Sequence, residues 1–271
     1  GVRIGCGDSL CMDPIKLEKF CKEECNFIDG VLVNKKTNKK IKVLVIVHVF
    51  GNMADMEKIM DIAKKYNLKV LEDATEALGT YYTEGKYKGK YAGTIGDIGV
   101  LSFNANKIIT TGGGGMVVGD NEELVEKVRF LSSQAKKDPL YFIHDEIGYN
   151  YRMPNINAAL GVAQLEQLEG FLTNKRATAE AYKAYFEKQG ITFFAEREYE
   201  RCNYWLNAII LNNREERDAF LTETNAKGVM SRPIWQLMNR LPMFKDCPKT
   251  DLSNAEWLEA RVVNIPSGVR N

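Results

Sequence analysis

Histidine is nearly absent from this chain. Two occur, His48 and His144, far apart in sequence, and neither falls in a metal-ligand spacing. The six cysteines, Cys6, Cys11, Cys21, Cys25, Cys202 and Cys247, repeat none of the paired spacings of zinc or iron–sulfur sites. They read as free thiols of a reducing compartment, and no metal is expected. An excess of charge is missing too. With 37 basic and 36 acidic side chains the net charge is +1, which leaves no electrostatic footprint for nucleic acid or for an anionic membrane. The one basic run, Lys35-Lys36-Thr37-Asn38-Lys39-Lys40, is short, lacks interleaved aromatics and reads as a solvated loop or hairpin tip. Long apolar runs are also lacking. The longest, Val43 to Phe50, is strand-sized and far too short to span a bilayer. No signal peptide is visible and the chain begins at Gly1 rather than Met. The start therefore reads as a fragment boundary, and the expected location is the cytoplasm.

What is present is ordinary globular material. The chain has 271 residues, 45% of them hydrophobic and 27% charged, enough for one large domain and a smaller one. Residues 1–40 are the least periodic. Pro14 to Cys25 suits a short helix with Ile15, Leu17 and Phe20 as apolar points. From Ile41 the pattern sharpens. Ile41–Phe50 is β-branched, bounded by Gly51-Asn52, and reads as a buried strand. A helix is expected from Asp55 through Tyr66, with Met56, Ile59, Met60 and Ala63 on one face. Short strands follow at Lys69–Leu71, Ile98–Phe103 and Met116–Val118. Asn121 to Ser132 carries a helix start signal. Asn155 to about Gln189 is a long helical region with Ile156, Ala159, Leu160 and Ala163 in register. Beyond it, strands are expected at Ile191–Phe194, Trp205–Leu211 and Val229–Arg232, and a helix at Arg214–Lys227. Alternating strands and helices predict an α/β sheet with helices on its faces. Ligands in such sheets sit outside the carboxyl ends of the strands, and Asp73 and Lys107 both lie just beyond such ends.

Singly, these residues say little. A strand-end aspartate is commonly a turn former, and a loop lysine is commonly solvated. Gly112–Gly115 is not followed by the Gly-Lys-Ser/Thr of a phosphate-binding loop. Neither this run nor the series Gly93, Gly96, Gly99 has the dinucleotide spacing. The order of the parts is more informative. His48-Val-Phe-Gly51 and Asp55-Met56 are followed by Glu72-Asp73-Ala74-Thr75-Glu76-Ala77-Leu78-Gly79. Then come Gly93-Thr94-Ile95-Gly96-Asp97, Ser102-Phe103-Asn104-Ala105-Asn106-Lys107 and Thr110-Thr111-Gly112-Gly113-Gly114-Gly115. Gly148-Tyr149-Asn150-Tyr151-Arg152-Met153, Asn157-Ala158-Ala159-Leu160-Gly161 and Gln164-Leu165 complete the series.

This series closely resembles the DegT/DnrJ/EryC1/StrS family of sugar aminotransferases, over most of residues 41–176 and more weakly to about Pro266. Within it, Ser132–Lys136 and His144–Gly148 look most like the LegC-like subgroup that makes 4-amino-4,6-dideoxy sugars for bacillosamine or legionaminic acid. The resemblance implies the aspartate-aminotransferase fold (fold type I). Residues 1–175 would form the cofactor-binding large domain, and 176–271 a smaller α+β domain. The implied activity transfers an amino group, usually from glutamate, to a keto carbon of a nucleotide-linked 4-keto-6-deoxy sugar, using pyridoxal 5'-phosphate. Lys107 would hold the cofactor covalently and move protons. Asp73 would keep its ring nitrogen protonated. Glu76 would meet the ring hydroxyl, one helical turn on if a helix starts there, and Ser102 would donate to the phosphate. Asn150 and Arg152 lie in a segment that in the family reaches the neighbouring subunit's site, implying a homodimer. Their alternative is a solvated loop. His48 reads as a core residue more than a catalytic one. Tyr81, Tyr82 and Tyr87 could line a sugar or nucleotide pocket or simply sit in an exposed loop.

The family pattern is incomplete here. Its members begin with a segment, absent from this chain, whose Thr-Ser-Gly-Thr-type turn holds the cofactor phosphate and which supplies an aromatic that stacks on the ring. They also continue past Asn264-Ile265-Pro266-Ser267. The chain is therefore expected to be truncated at both ends, with residues 1–13 the worn end of a strand. Two other readings are a non-catalytic homologue acting by binding or assembly, and the related sugar dehydratase. The latter carries histidine where this chain has Lys107.

Overall fold

The computed structural model describes residues 1–138 and 140–270. Pro139 and Asn271, one in each expected domain, lie outside the described residues. Helix α1 (Pro14–Glu23) starts where proline at the first turn meets an Asp13 cap, whose Oδ1 accepts from the Ile15 N–H at 2.8 Å. A three-stranded antiparallel ribbon follows: β1 (Cys25–Ile28), β2 (Val31–Asn34) and β3 (Lys40–Ile41). The lysine-rich run is the turn between β2 and β3. Strand β4 (Val43–Val47), helix α2 (Met56–Lys65) and strand β5 (Lys69–Asp73) make a β–α–β unit, with Asp55 capping α2. Then come β6 (Tyr81–Tyr82), β7 (Ile98–Ser102), β8 (Gly115–Val118) and α3 (Glu122–Ser132). A small ribbon of β9 (Lys136–Asp138) and β10 (Ile143–His144) precedes α4 (Asn155–Leu165) and α5 (Leu168–Lys188). The remainder is β11 (Thr192–Phe193), β12 (Glu200–Arg201), β13 (Asn207–Ile210), α6 (Arg214–Ala226), β14 (Arg232–Pro233), α7 (Ser253–Glu259) and β15 (Val262–Ile265).

The first sheet runs β4-β5-β7-β8, parallel except for its last pair. The second runs β11-β13-β15-β14, all antiparallel. On one face of the first sheet, Leu44, Ile46 and Val70 bury against Leu17 and Phe20 of α1 and Met56, Ile59, Ile62 and Ala63 of α2. The other face is different. Val43, Val45 and Val47 are 50%, 51% and 37% exposed. The expected fully buried strand is thus an alternating one, because the described residues cover only one side of a sheet type that normally has both sides covered. Ile15 turns away from the core, where Cys21 stands instead, while Met60 packs partly buried at its edge beside Ile62.

The helical region expected over Asn155–Gln189 breaks at Glu166-Gln167 into α4 and α5. In α4 the apolar register does not face inward: Ile156 is 86% exposed. The inward side is set by Gly161, where a Cβ would crowd the Thr111 methyl, and by Asn157, whose Nδ2 donates to Thr111 O. Helix α5 spans both cores. Leu168, Phe171 and Leu172 pack with Ile109 and Trp205, whereas Ala179, Tyr182 and Phe186 pack with Phe193, Ile209 and Val263. The expected domain boundary at 175/176 falls inside it. All six cysteines are free thiols, as expected. Among the described residues no helix is long and apolar enough to cross a membrane. Residues 1–13 form isolated bridges, Arg3 to Lys249 and Cys6 to Met12, rather than a strand.

Candidate active site at the strand ends

The parallel register places Asp73 at the carboxyl end of β5, beside Val47 on one side and Val100 on the other. Ser102 ends β7 two residues beyond Val100, so it shares Asp73's face of the sheet. After Asp73 the chain makes consecutive turns, Ala77 N–H to Ala74 O and Thr80 N–H to Ala77 O, each 3.0 Å. The conditional helix at Glu76 does not form. Glu76 instead reaches Phe50, whose N–H donates to its Oε2 at 2.7 Å. Phe50 adopts φ +59°, in the left-handed region. Burial pushes the Glu76 carboxyl up to about 7, against the pull of that N–H and of Lys107, and with the charge of Asp73 adding to the rise.

Lys107 follows β7 in a turn closed by its own N–H to Asn104 O at 3.1 Å. Its ammonium lies 4.1 Å from the centre of the Trp205 ring. Burial lowers the Lys107 pKa, and the Glu76 and Asp73 carboxylates oppose that fall. Four of the expected residues, Asp73, Glu76, Ser102 and Lys107, therefore converge at one end of the sheet.

Asn150 and Arg152 do not join them. Both are exposed. Asn150 bridges only to Ser133, and its neighbours Tyr149 and Tyr151 stack on each other at 5.0 Å. No hydrogen bond or ion pair among the described residues ties either one to the strand-end cluster.

His48 is a core residue. Its Nδ1 accepts from the Ala54 N–H at 3.2 Å, so the ring proton sits on Nε2 and is donated to Glu72 Oε2 at 2.8 Å. Glu72 also accepts from the N–H groups of Gly93 (3.0 Å) and Ile95 (2.6 Å). Burial pushes its carboxyl up, but the His48 hydrogen bond and the amides of Gly96 and Gly93 outweigh it and hold it below the usual range. The glycine series has the same origin. Gly93 has φ +88°, and a Cβ on Gly99 would collide with the Gly93 carbonyl. Tyr82 is likewise core, 2% exposed, its hydroxyl accepting from Met56 N at 2.8 Å and donating to Ala54 O at 2.9 Å.

One wall of the site was not legible in the sequence. Asn203 Nδ2 donates to Glu76 O and Leu78 O, both at 2.9 Å, and Asn203 Oδ1 accepts from Trp205 N at 2.8 Å. This segment brings Trp205 against Lys107. Trp235 stacks on Trp205 (6.3 Å, 21° between planes) and meets Phe50 at 5.3 Å. No spacing links residues 50, 107, 205 and 235, because tertiary contact alone brings them together.

An amine, carboxylates and a hydroxyl at the carboxyl ends of a mainly parallel sheet agree with the class that the sequence resemblance implies, the fold-type-I pyridoxal-phosphate enzymes. The fold itself is that of a DegT DnrJ EryC1 StrS aminotransferase from Brucella abortus, with TM-score 0.85 and 22% identity over 98% of this chain and 67% of that one. The chain belongs to the DegT/DnrJ/EryC1/StrS aminotransferase family, whose profile matches residues 21–270. It is 38% identical over 235 residues to GDP-perosamine synthase of Escherichia coli O157:H7, covering 87% of this chain and 63% of that protein. It is 34% identical over 179 residues to a UDP-4-amino-4,6-dideoxy-N-acetyl-beta-L-altrosamine transaminase of Campylobacter jejuni, covering 65% and 46%. The chain spans 63–65% of the length of the full-length synthases and of the Bacillus subtilis relative it matches over most of its own length. The donor set fits the cofactor this family implies. Lys107 would supply an amine for its aldehyde, Asp73 a carboxylate for its ring nitrogen, and Ser102 an uncharged donor for its phosphate.

Proposed function

We propose that this chain carries the catalytic core of a nucleotide-sugar aminotransferase that moves an amino group, with glutamate as donor, to the keto carbon of a nucleotide-linked 4-keto-6-deoxy sugar. The observation that carries the reading is Lys107, an amine with a lowered pKa facing two carboxylates at the strand ends. Bound pyridoxal phosphate supplies an electron sink for the carbon whose bond to hydrogen is broken. The chain's own residues do the rest. A partly desolvated Lys107 Nζ keeps more of its neutral form near pH 7 than a solvated lysine does, and can act as nucleophile and then as proton carrier. Asp73 would favour a proton on the ring nitrogen, Glu76 would meet the ring hydroxyl, and the Ser102 hydroxyl would donate to the phosphate.

The same reading makes the protein a cytoplasmic homodimer of the LegC-like subgroup, with 1–175 the cofactor domain and 176–271 the smaller one. Asn150 and Arg152 of one protomer then complete the partner's site, which accounts for their exposure in a single chain. Incubation with pyridoxal phosphate, glutamate and a GDP- or UDP-linked 4-keto-6-deoxy sugar, followed by mass spectrometry, should show replacement of the keto oxygen by an amine. Hybrids of a Lys107→Ala chain with an Asn150/Arg152 double-alanine chain should regain part of that activity. Absence of product from either sugar nucleotide, with cofactor bound, would contradict the activity.

A further inference from the structure

The Lys107 ammonium has no hydrogen bond or salt bridge among the described residues. Its close partner is an indole face, 4.1 Å from Nζ to the ring centre. That ring is held from several sides. The Trp205 Nε1–H donates to Asn106 O at 2.6 Å, one residue before the lysine it faces. Its backbone N–H donates to Asn203 Oδ1 at 2.8 Å, and Asn203 in turn grips the carbonyls of the Glu76–Leu78 turn. Trp235 stacks on it, and the side chain is only 5% exposed. The indole cannot swing aside without breaking these contacts, so its position fixes where the lysine head can rest.

We propose that Trp205 is the positioning residue for Lys107: its fixed ring face holds the charged amine at the strand ends, between the Asp73 and Glu76 carboxylates, and releases it when the amine becomes neutral. The ring's quadrupole attracts an ammonium and has no comparable hold on a neutral amine. In the cofactor-free chain the charged lysine is therefore kept in place, while the neutral amine is free to reach a carbonyl. The charged groups that act on Lys107 are Glu76 and Asp73. Both favour the ammonium, as the ring does, and burial works against all three. The proposal deepens the aminotransferase reading, but its test needs neither cofactor nor substrate.

The test compares Trp205→Leu, which keeps an apolar cover but loses the ring face, with Trp205→Phe, which keeps a ring face and loses the N–H. Competitive acetylation of the cofactor-free chain across pH, read on the peptide containing Lys107, gives the pH at which that amine becomes neutral. The leucine variant should move this midpoint down by about half to one and a half pH units, and the phenylalanine variant should stay near the parent. An unmoved or raised midpoint in the leucine variant, or equal shifts in both, overturns the proposal. A second arm covers a leucine variant that does not fold. Tryptophan emission of the unaltered ring should show a pH step that Lys107→Met abolishes, and identical emission–pH curves in the two chains overturn the proposal as well. Failure of the aminotransferase reading shows separately, as cofactor that never attaches to Lys107.

Discussion

Two lysines in this chain are pushed toward neutrality by burial, and they sit in regions built on opposite principles. Lys175, in the middle of α5, is brought down to about 8. Its ammonium donates to Trp205 O at 3.3 Å and to Ser267 O, and it is 5% exposed. Lys107 is partly buried, makes no such bonds among the described residues and faces two carboxylates and an indole. The first is a cross-link between a helix and two loops. The second is a head group held by charge and ring face, with its donors unspent. A perturbed pKa does not separate a structural lysine from a reactive one; the state of its hydrogen bonds does.

That contrast can be broken most sharply by exchanging the two. Lys107→Ala should cut amino transfer on the order of 10³-fold or more while leaving the urea midpoint unchanged or raised. Lys175→Met should do the reverse, keeping turnover and costing about 2–4 kcal/mol, since it strands one buried and one part-buried carbonyl. A Lys175→Met enzyme that is stable but inactive would remove the distinction. The same division runs between Glu72 and Asp73, adjacent at the end of β5. His48→Ala strips Glu72 of its imidazole donor and should cost about 3–5 kcal/mol in denaturant unfolding, as expected for a buried partner lost from a charged group. Asp73→Asn should leave the unfolding midpoint within error and reduce turnover about a hundredfold with cofactor still bound. Near-normal turnover there would remove Asp73 from its assigned role.

The same cluster also carries a pH dependence. Glu76 is held at about 7, above its ordinary 4.5, by burial first. Between those values the folded chain keeps a proton that the unfolded chain has released, so stability falls as pH rises through this window and stays lower above it. Glu76→Gln should match the parent near pH 4.5 and exceed it by about 2–4 kcal/mol at pH 8. Glu200, also raised to about 7 by burial, leaves part of the decline in both chains. Parallel stability–pH curves would show that Glu76 ionises normally.

The sequence was most legible where local signals and burial agree. Helix α2 has its Asp55 cap and its Met56, Ile59 and Ala63 stripe where the period places them. The ordered blocks from Glu72 to Gly115 brought out Asp73, Glu76, Ser102 and Lys107, and the fold does gather them. Periodicity misled where no partner element covers an apolar face, as at Val43, Val45 and Val47 and at Ile156 in α4. A period reports which residues share a face, not whether that face is covered. Asn203, Trp205 and Trp235 were invisible as site residues because their meeting with Lys107 is set by packing across some hundred residues of chain, and no spacing records it. Asn150 and Arg152 stand apart, exposed and untied to the strand-end cluster among the described residues.

Lys107, rather than Lys175 or any other lysine, is the amine expected to accept the cofactor. Incubation of the chain with pyridoxal phosphate, reduction with borohydride and peptide mass spectrometry test it directly. A single reduced adduct is expected on the peptide carrying Lys107, lost in Lys107→Ala and retained in Lys175→Met. A reduced adduct on Lys175, or one that survives Lys107→Ala at equal yield, would contradict it.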